Sequence, residues 1–511
     1  MSQSSSANLT SAQRRHVLTS ALLAAGAAAT LALPNSSRAA TPGEDAPPLA
    51  QAPRALVFPP LSMQRLANGL ELIVAQRPGL PLVTAQLLVR AGAEADPPLR
   101  PGVASMTSTL WAMGALRAGK RVDAATLARQ AEALGGGLEV ASSWGASSVG
   151  MTVATPQLPA ALALLADVMR HPVLADDELA RARAQALDGL RVTLSSPSEV
   201  ASMALRRSYW GDTPHGRVIT PATLQQLQRA ELQAFQARWV RPDRAALVLV
   251  GDITAPQALA LAQRVLGDWA APAQAAPPTR LAAPAPIPES LVLIDMPGSG
   301  QSGVAVAAPF LSSSPADLPQ RYAGLVAQAV LGGGYSARLN QEVRIKRGLS
   351  YGVSGGPESF AAGGMFSARA QTQHTTAAQV LQLLRAEIAR LADAPPDATE
   401  LAARQATLVG GFARQTETTG GLAGLLAGQW TQHRPMADLA LHSPKLLAVT
   451  ADQVQAFAQR YWRDQPLRAV VAGDLAAAGP SLGENEATTT LRLPVAELDL
   501  ARDDLRQVGK R

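Results

Sequence analysis

Few side chains in this 511-residue chain could carry covalent or metal chemistry. The chain has no cysteine, which excludes thiol catalysis, disulfides and cysteine-ligated zinc. None of the six histidines lies three or four residues from another, the spacing that places two ligands on one helix face. A different pair, Arg344 and Tyr351, combines a permanently charged multiple donor with a hydroxyl that can donate to developing negative charge.

A glycine run, Gly332, Gly333 and Gly334, precedes this pair. It lacks the Gly-Lys-Ser/Thr continuation of a phosphate-binding loop, so we do not interpret it as a nucleotide site. By residue type alone, Arg344 could be a solvated helix residue among neighbouring charges, and Tyr351 a half-buried strand residue. The chemistry of the pair therefore depends on the elements that position it.

The chain contains an internal repeat that organises these elements. Residues 232–253 (LQAFQARWVRPDRAALVLVGDI) and 454–475 (VQAFAQRYWRDQPLRAVVAGDL) align without a gap. Each copy predicts an amphipathic helix, a polar turn, a buried strand and a Gly-Asp turn. The repeat therefore predicts two homologous domains.

Strand pairs precede helices in each half, which predicts an α+β fold. We expect two α/β sandwich domains, related by internal duplication, that form a clamshell around a cavity. Trp144 and Trp239 are expected to be core or rim aromatics. The predicted segments are a signal peptide at 1–39, a flexible leader at 40–60, an N-terminal domain at 61–270, a Pro/Ala-rich linker at 271–290, a C-terminal domain at 291–480 and a tail at 481–511.

The N-terminus has the charge order and apolar length of a signal peptide. Arg14 and Arg15 precede an apolar run at 21–33, and small residues follow at the cleavage position. The paired arginines favour twin-arginine export, with an ordinary Sec signal as the alternative. We therefore expect an exported, periplasmic protein. No later run is long and apolar enough to span a membrane, so no span is expected after signal cleavage.

The charge pattern argues against one class of partner. The formal net charge is +6, and the basic residues are scattered along the chain. A nucleic-acid-binding protein would show a basic stripe, so no nucleic-acid partner is expected.

Several segments resemble the pitrilysin/insulinase family, the inverzincin-type zinc peptidases with an H-x-x-E-H motif. The likeness covers roughly residues 60 to 475. The segments that carry it are LANGLELIV (66–74), VTAQLLVRAGAEAD (83–96), GVASMTSTLWAMGA (102–115), EALGGGLEV (132–140) and TPHGRVITP (213–221).

The zinc motif of that family is degenerate in this chain. Ser105, Ser108 and Thr109 stand where the family has His, Glu and His, and Gly189 stands near the position of the third ligand, a Glu. The adjacent Asp188 cannot hold zinc alone. The resemblance therefore implies no metal or other cofactor in this chain.

The second-half signature of the family is retained. LGGGYSARLNQEVRIKRGLSYGV (331–353) matches it, with the Arg344–Tyr351 spacing of seven preserved. The resemblance implies that these two side chains bind the scissile carbonyl across a cavity, and that Gly332, Gly333 and Gly334 contact substrate. Gly348 fits a helix C-terminal turn that could aim both side chains the same way.

The resemblance implies a catalytically incomplete subunit of an exported heterodimeric zinc metallopeptidase, inactive as a peptidase alone. A homologous subunit with H-x-x-E-H would supply zinc, and an unstructured peptide would be the substrate. The alternative is a non-catalytic binding or scaffold protein of the same fold. A serine hydrolase built on Ser105 or Ser108 is disfavoured, because neither lies in a nucleophile-elbow pattern.

Overall fold

The computed structural model describes residues 57–274, 278–279, 281–285, 290–463, 465–480, 482 and 489–506. All of these belong to one compact unit, Pro53–Arg511. The predicted signal peptide at 1–39, and the predicted leader up to residue 56, lie outside the described residues. In the described part of the chain, no helix is long and apolar enough to cross a membrane.

The first half is built on one six-stranded sheet. The strands of this half are β1 Leu61–Arg65, β2 Glu71–Gln76, β3 Leu82–Val89, β4 Gly114–Arg117, β5 Lys120–Asp123, β6 Glu139–Ser142, β7 Ser147–Ala154 and β8 Ala245–Gly251. The sheet order is β1-β2-β8-β3-β7-β6, while β4 and β5 form a separate ribbon. Its helices are α1 Val103–Trp111, α2 Ala124–Ala133, α3 Leu158–Arg170, α4 Asp176–Ser195, α5 Pro197–Trp210, α6 Pro221–Gln226, α7 Arg229–Trp239 and α8 Ala255–Leu266.

The second half has the same plan. Its strands are β9 Ser290–Asp295, β10 Ser302–Phe310, β11 Ser350–Phe360, β12 Gly363–Thr372, β13 Arg468–Gly473 and β14 Thr489–Pro494. Its helices are α9 Arg321–Gly332, α10 Arg338–Asn340, α11 Ala377–Asp393, α12 Ala398–Glu417, α13 Thr419–Thr431, α14 His442–Leu447, α15 Ala451–Tyr461 and α16 Leu475–Ala478. The sheet order is β11-β12-β10-β13-β9-β14.

The two sheets share five equivalent strands, which confirms the predicted α+β fold with two duplicated domains. The run β2-β8-β3-β7-β6 corresponds to β9-β13-β10-β12-β11, with the same parallel pair and the same antiparallel pairs. The repeated Gly-Asp turns have a steric reason. A Cβ on Gly251 would lie 2.0 Å from the Leu82 carbonyl oxygen, and one on Gly473 would lie 2.4 Å from Ser302 Oγ.

The outer edges of the two sheets differ. In the first sheet, β1 precedes β2 in the chain and pairs with it antiparallel. In the second sheet, β14 comes from the segment predicted as a tail and pairs parallel with β9. Residues 489–494 of that tail are therefore part of the second sheet.

Each half covers one face of the other half's sheet with a helix. Helix α5 of the first half packs on β10 and β13, and helix α13 of the second half packs on β8 and β3. Along β2, Leu72 and Val74 face the helices of their own half, while Ile73 and Ala75 face α13. The central strands are thus apolar on both faces, which is why their sequences are continuous apolar runs.

The predicted linker contains no helix or strand in its described residues, 271–274, 278–279 and 281–285. Its beginning is tied to the first half by Arg241, which donates to the carbonyl oxygens of Gln274 at 2.8 Å and Pro272 at 3.2 Å.

Candidate functional site

The structure places Arg344 and Tyr351 side by side where the chain enters β11. The guanidinium carbon of Arg344 lies 4.7 Å from the centre of the Tyr351 ring. Tyr351 is 90% exposed, so it is not the half-buried strand residue that its type alone allowed. Neither side chain has a hydrogen-bond partner among the described residues, so all of their donors are free for a ligand.

A third side chain, Tyr335, joins this pair. Its ring centre lies 4.8 Å from the same guanidinium carbon, and it is 62% exposed. Sequence reasoning missed this residue, although it follows the glycine run directly. Each cation–π contact at an exposed site is worth about 0.5–1 kcal/mol, so the two rings together restrict the Arg344 guanidinium.

The neighbouring charges do not compete for Arg344. Glu342 accepts hydrogen bonds from Lys346 at 2.5 Å and Arg347 at 2.6 Å. These two bonds lower the pKa of Glu342, which keeps its carboxylate ionised and occupied. Arg344 therefore has tyrosine rings beside it instead of a carboxylate.

Two backbone irregularities orient the side chains of Arg344 and Tyr351. Arg344 lies in a π-helical turn, Gln341–Ile345, in which the Lys346 N–H donates to the Gln341 carbonyl at 2.9 Å. Tyr351 lies in a β-bulge where the pairing of β11 with β12 shifts register. Such features re-aim side chains and are frequent next to functional sites.

The turn between them closes on Gly348, whose φ of 63° is in the left-handed region. Its N–H donates to the Arg344 carbonyl at 2.9 Å. The predicted role of Gly348 as a helix C-terminal residue therefore agrees with its backbone conformation.

The glycine run has a packing role in this structure. A Cβ on Gly332 would lie 2.9 Å from the Cα of Gly355 in β11, and one on Gly333 would lie 2.5 Å from the Cα of Ala329. Gly334 adopts a φ of 138°. Gly332 thus lets α9 approach β11 closely, while the contact of the three glycines with substrate stays a prediction.

Asn340 ties this run to the strand. Its Nδ2 donates to the Gly334 carbonyl at 3.1 Å, and its Oδ1 accepts the Val353 N–H at 2.8 Å. The side chain is buried, and it connects the segment that carries Tyr335 to the strand that carries Tyr351. It is a second residue that sequence reasoning missed, because its partners are backbone atoms that no motif records.

The degenerate zinc positions lie on α1 and α4, two helices that pack together. Ser105 and Thr109 are exposed on one face of α1, Ser108 is buried, and Gly189 is exposed on α4. The hydroxyls of Ser108 and Thr109 both donate to the Ser105 carbonyl at 2.9 Å. These residues offer no imidazole or carboxylate, so they do not fit zinc.

No alternative metal centre replaces that motif within the described residues. There, no three His, Asp or Glu side chains are grouped closely enough to share an ion. The Ser105 and Ser108 hydroxyls also lack a histidine partner among the residues described. Within the described residues, the candidate site is therefore the group formed by the Tyr335, Arg344 and Tyr351 side chains.

A cavity of about 670 Å³ lies between the two halves. Helices α4 and α5 and Trp144 form one side, and β11 and β12 form the other. Arg206 of α5 pairs with Glu358 of β11 across this boundary, and its guanidinium carbon lies 4.9 Å from the Trp144 ring centre. Arg344 and Tyr351 are not among the residues that line it.

An aromatic cluster next to this cavity joins the halves. His215 is fully buried and stacks on Phe360 of the second half, with ring centres 3.7 Å apart. Trp144 and Trp210 pack against both rings. The His215 Nε2 lies 2.8 Å from a carboxylate oxygen of Glu94. Trp144 is therefore an aromatic of the boundary, whereas Trp239 lies in the first core.

Two family models match the chain. The model described as "Insulinase (Peptidase family M16)" matches residues 72–222, and the one described as "Peptidase M16 inactive domain" matches residues 226–408. This chain belongs to the M16 insulinase family. The inactive-domain match lies in the second half, whereas α1 and α4 lie in the part that the insulinase model matches.

Relatives of this M16 protein extend over most of its length. An uncharacterized zinc protease of Streptomyces coelicolor is 22% identical over 80% of this chain and 88% of its own length. One from Rickettsia bellii is 21% identical over 65% of this chain and 78% of its own. The name zinc protease describes those relatives. This chain has Ser105, Ser108 and Thr109 in place of the family's His, Glu and His.

Solved structures match the fold. A peptidase M16 inactive domain from Pseudomonas fluorescens aligns with a TM-score of 0.74 and 26% identity, over 82% of this chain and all of that one. A protease from Helicobacter pylori aligns with a TM-score of 0.74 and 18% identity, over 81% of this chain and all of its own. Both likenesses cover the two halves together.

Proposed function

We propose that this M16 protein is the catalytically incomplete subunit of an exported, periplasmic heterodimeric zinc metallopeptidase. A homologous subunit with an H-x-x-E-H motif would hold the zinc and the general base. This chain would close the chamber around an unstructured peptide. The N-terminal sequence at 1–39 supports export.

One asymmetry carries this proposal. The first half has lost the whole zinc set at Ser105, Ser108, Thr109 and Gly189, whereas the second half presents Arg344 and Tyr351 with free donors. Exposed aromatic rings bury little apolar surface, so two exposed tyrosines beside an exposed arginine add little to stability. A chain that had kept only its architecture would therefore not need this arrangement.

The chemistry of the pair fits carbonyl recognition. The Arg344 guanidinium has N–H donors in a fixed fork, and the Tyr351 hydroxyl can donate beside it. Together they would bind the scissile carbonyl oxygen and stabilise the negative charge that develops on it. Removing one such donor typically lowers kcat by about 10²–10³-fold.

The test compares the lone chain with the assembled pair. Cleavage of a quenched unstructured peptide is measured for this chain, for an H-x-x-E-H homologue from the same cell, and for their mixture, with and without a chelator. The proposal expects an inert lone chain and chelator-sensitive cleavage by the pair. In the pair, Arg344→Ala and Tyr351→Phe should each lower kcat by about 10²-fold or more.

Arg460 and Tyr461 provide a matched control, because they form another arginine–tyrosine contact at 5.4 Å in the same half. Arg460→Ala and Tyr461→Phe should leave cleavage unchanged. Wild-type cleavage rates in the Arg344 and Tyr351 variants would contradict the catalytic role.

The alternative is a binding or scaffold protein without peptidase activity. The direct packing of the two halves through α5 and α13 favours it, because a fold can keep its architecture after losing its chemistry. If mixing with an H-x-x-E-H homologue gives neither a complex nor cleavage, the scaffold function replaces the proposal.

A further inference from the structure

A second cavity lies within the second half, away from Arg344 and Tyr351. It has a volume of about 440 Å³ and lies between α12 and α13, next to the start of α9. We call it the glycine cleft. Its polar and charged lining residues are Arg321, Thr407, Gln415, Gln429, Gln432, Arg434 and His442.

Glycines create the space. Gly411 of α12 and Gly424 and Gly428 of α13 line the cleft. A Cβ on Gly424 or Gly428 would meet no atom within 4 Å, so neither glycine is required by close packing. Each glycine inside a helix lowers the stability of the helix by about 1 kcal/mol relative to alanine. Here the missing side chains leave an open cleft.

The cleft concentrates cationic groups without partners. Neither Arg321 nor Arg434 has a side-chain hydrogen bond or ion pair among the described residues, and the Arg434 Nε is buried without a partner. Burial lowers the pKa of Arg434 to about 10, which leaves it charged at neutral pH. Both arginines are half-buried, and a partly desolvated cation without a counter-ion is unfavourable, so these groups are suited to an anionic ligand.

His442 adds a third nitrogen donor. Its ring packs at a tilt of 37° against Phe412, with centres 4.2 Å apart, and makes no hydrogen bond within the described structure. Burial, together with the charges of Arg321 and Arg434, lowers the pKa of His442 to about 4. The positive potential inside the cleft is therefore not cancelled by the protein.

The nearest acid does not neutralise the cleft. Asp438 pairs with Lys445 at 3.5 Å, and it is the acid that acts on the Arg321 and Arg434 side chains. Because Asp438 is paired with Lys445, the charges of Arg321 and Arg434 leave an excess of two positive charges in the cleft.

We propose that the glycine cleft binds a small oxyanion with two negative charges, a phosphate or a dicarboxylate. Arg321 and Arg434 would contact its oxygens, His442 would donate a further hydrogen bond, and Gln415 and Gln432 would supply neutral amide donors. The volume suits a small molecule and excludes a folded partner. This site does not depend on the proposed peptidase function.

The test measures binding to the whole purified protein without any partner subunit. Inorganic phosphate and succinate are titrated by calorimetry, and thermal unfolding is followed against sodium chloride of equal ionic strength. We expect saturable 1:1 binding of one anion or both, with a rise in Tm of about 2–4 °C near saturation. Phosphate alone would indicate a phosphorylated ligand, and succinate alone a dicarboxylate.

Two variants localise the site. Arg434→Gln should weaken binding about tenfold or more, whereas Arg460→Gln, an exposed arginine of the same half, should not. Gly424→Leu should fill the cleft and abolish binding, while its Tm without anion stays equal or rises because leucine favours the helix. Absence of saturable binding at about 10 mM of both anions, or unchanged binding in Gly424→Leu, would overturn the proposal.

Discussion

At the scale of single residues, the informative feature is an arginine held by two rings. Arg344 lacks a carboxylate because Glu342 is bound to Lys346 and Arg347. Tyr335 and Tyr351 lie at nearly equal distances from it, 4.8 and 4.7 Å. The guanidinium keeps its donors free while its plane is restricted, which is what recognition of a carbonyl requires.

Tyr335 is therefore expected to position Arg344 in the assembled pair. Tyr335→Leu removes a cation–π contact of about 1 kcal/mol, so kcat should fall about fivefold while KM changes little. Tyr335→Phe keeps the ring and should restore most of the rate. If kcat falls as much in Tyr335→Phe as in Tyr335→Leu, the hydroxyl matters and the positioning role is wrong.

A second prediction at this scale concerns acid stability. The pKa of His442 is about 4 in the folded protein and near its ordinary value when the chain unfolds. Between pH 6.5 and 4 the unfolded state therefore binds more protons, and stability falls as the pH falls through this window. Since the side chain is partly exposed, we expect a loss of about 1–2 kcal/mol.

His442→Gln should flatten that part of the stability curve. Urea unfolding at pH 7 and pH 4.5 measures the difference for wild type and variant. His171, on the first half, serves as the control position, and its replacement by Gln should leave the pH dependence as in wild type. An equal acid loss in His442→Gln and wild type would exclude this histidine as the cause.

At the scale of elements, the site depends on irregular backbone. The π-helical turn at Gln341–Ile345 and the bulge after Ser350 bring side chains from a helix and a strand to the same place. Ser350 Oγ donates to the Gly352 carbonyl at 2.8 Å and stabilises the bulge. Both features bear on function more than on stability, because each interrupts a regular hydrogen-bond pattern.

Asn340 holds these two elements together, so its loss should affect both. Asn340→Ala leaves the Val353 N–H and the Gly334 carbonyl without their partner. We expect a loss of about 2–3 kcal/mol of unfolding free energy, measured with urea. Gln459→Ala removes one of three hydrogen bonds to the Ala392 carbonyl, so that carbonyl keeps partners and the loss should be less than about 1 kcal/mol. Similar losses of unfolding free energy in Asn340→Ala and Gln459→Ala would contradict the role of Asn340 in joining the two elements.

At the scale of the whole molecule, the two halves are joined by exchanged helices and an aromatic cluster. Trp210 of α5 is fully buried against the second sheet and packs on His215 and Phe360. The halves should therefore unfold in one transition. A two-state transition is uncommon for a chain of this size, but burial on this scale couples the units.

Trp210→Ala tests that coupling. Removing this side chain should cost about 3–5 kcal/mol and separate the transitions of the two halves in calorimetry. Trp462→Ala removes an equally buried tryptophan from the interior of the second half, and should lower stability without separating the halves. Two resolved transitions in the wild-type protein would show that the halves are independent.

Much of this architecture was predictable from the sequence, because the signals are local or periodic. The gapless repeat predicted the duplication, and its Gly251 and Gly473 mark the point where a neighbouring strand leaves no room for a Cβ. The resemblance of residues 331–353 to the family's second-half signature also indicated Arg344 and Tyr351. The edge strand at 489–494 was not predicted, since a single short parallel strand has no signature of its own.

The sequence by itself determined the family, the duplicated fold and the loss of the zinc ligands at Ser105, Ser108, Thr109 and Gly189, because residue identity decides which groups are present. Only the tertiary structure decided which helix covers which sheet, that Tyr335 completes the Arg344 site, and that unpaired cations meet in the glycine cleft. These depend on packing between segments far apart in the chain, and no local pattern encodes such a distance.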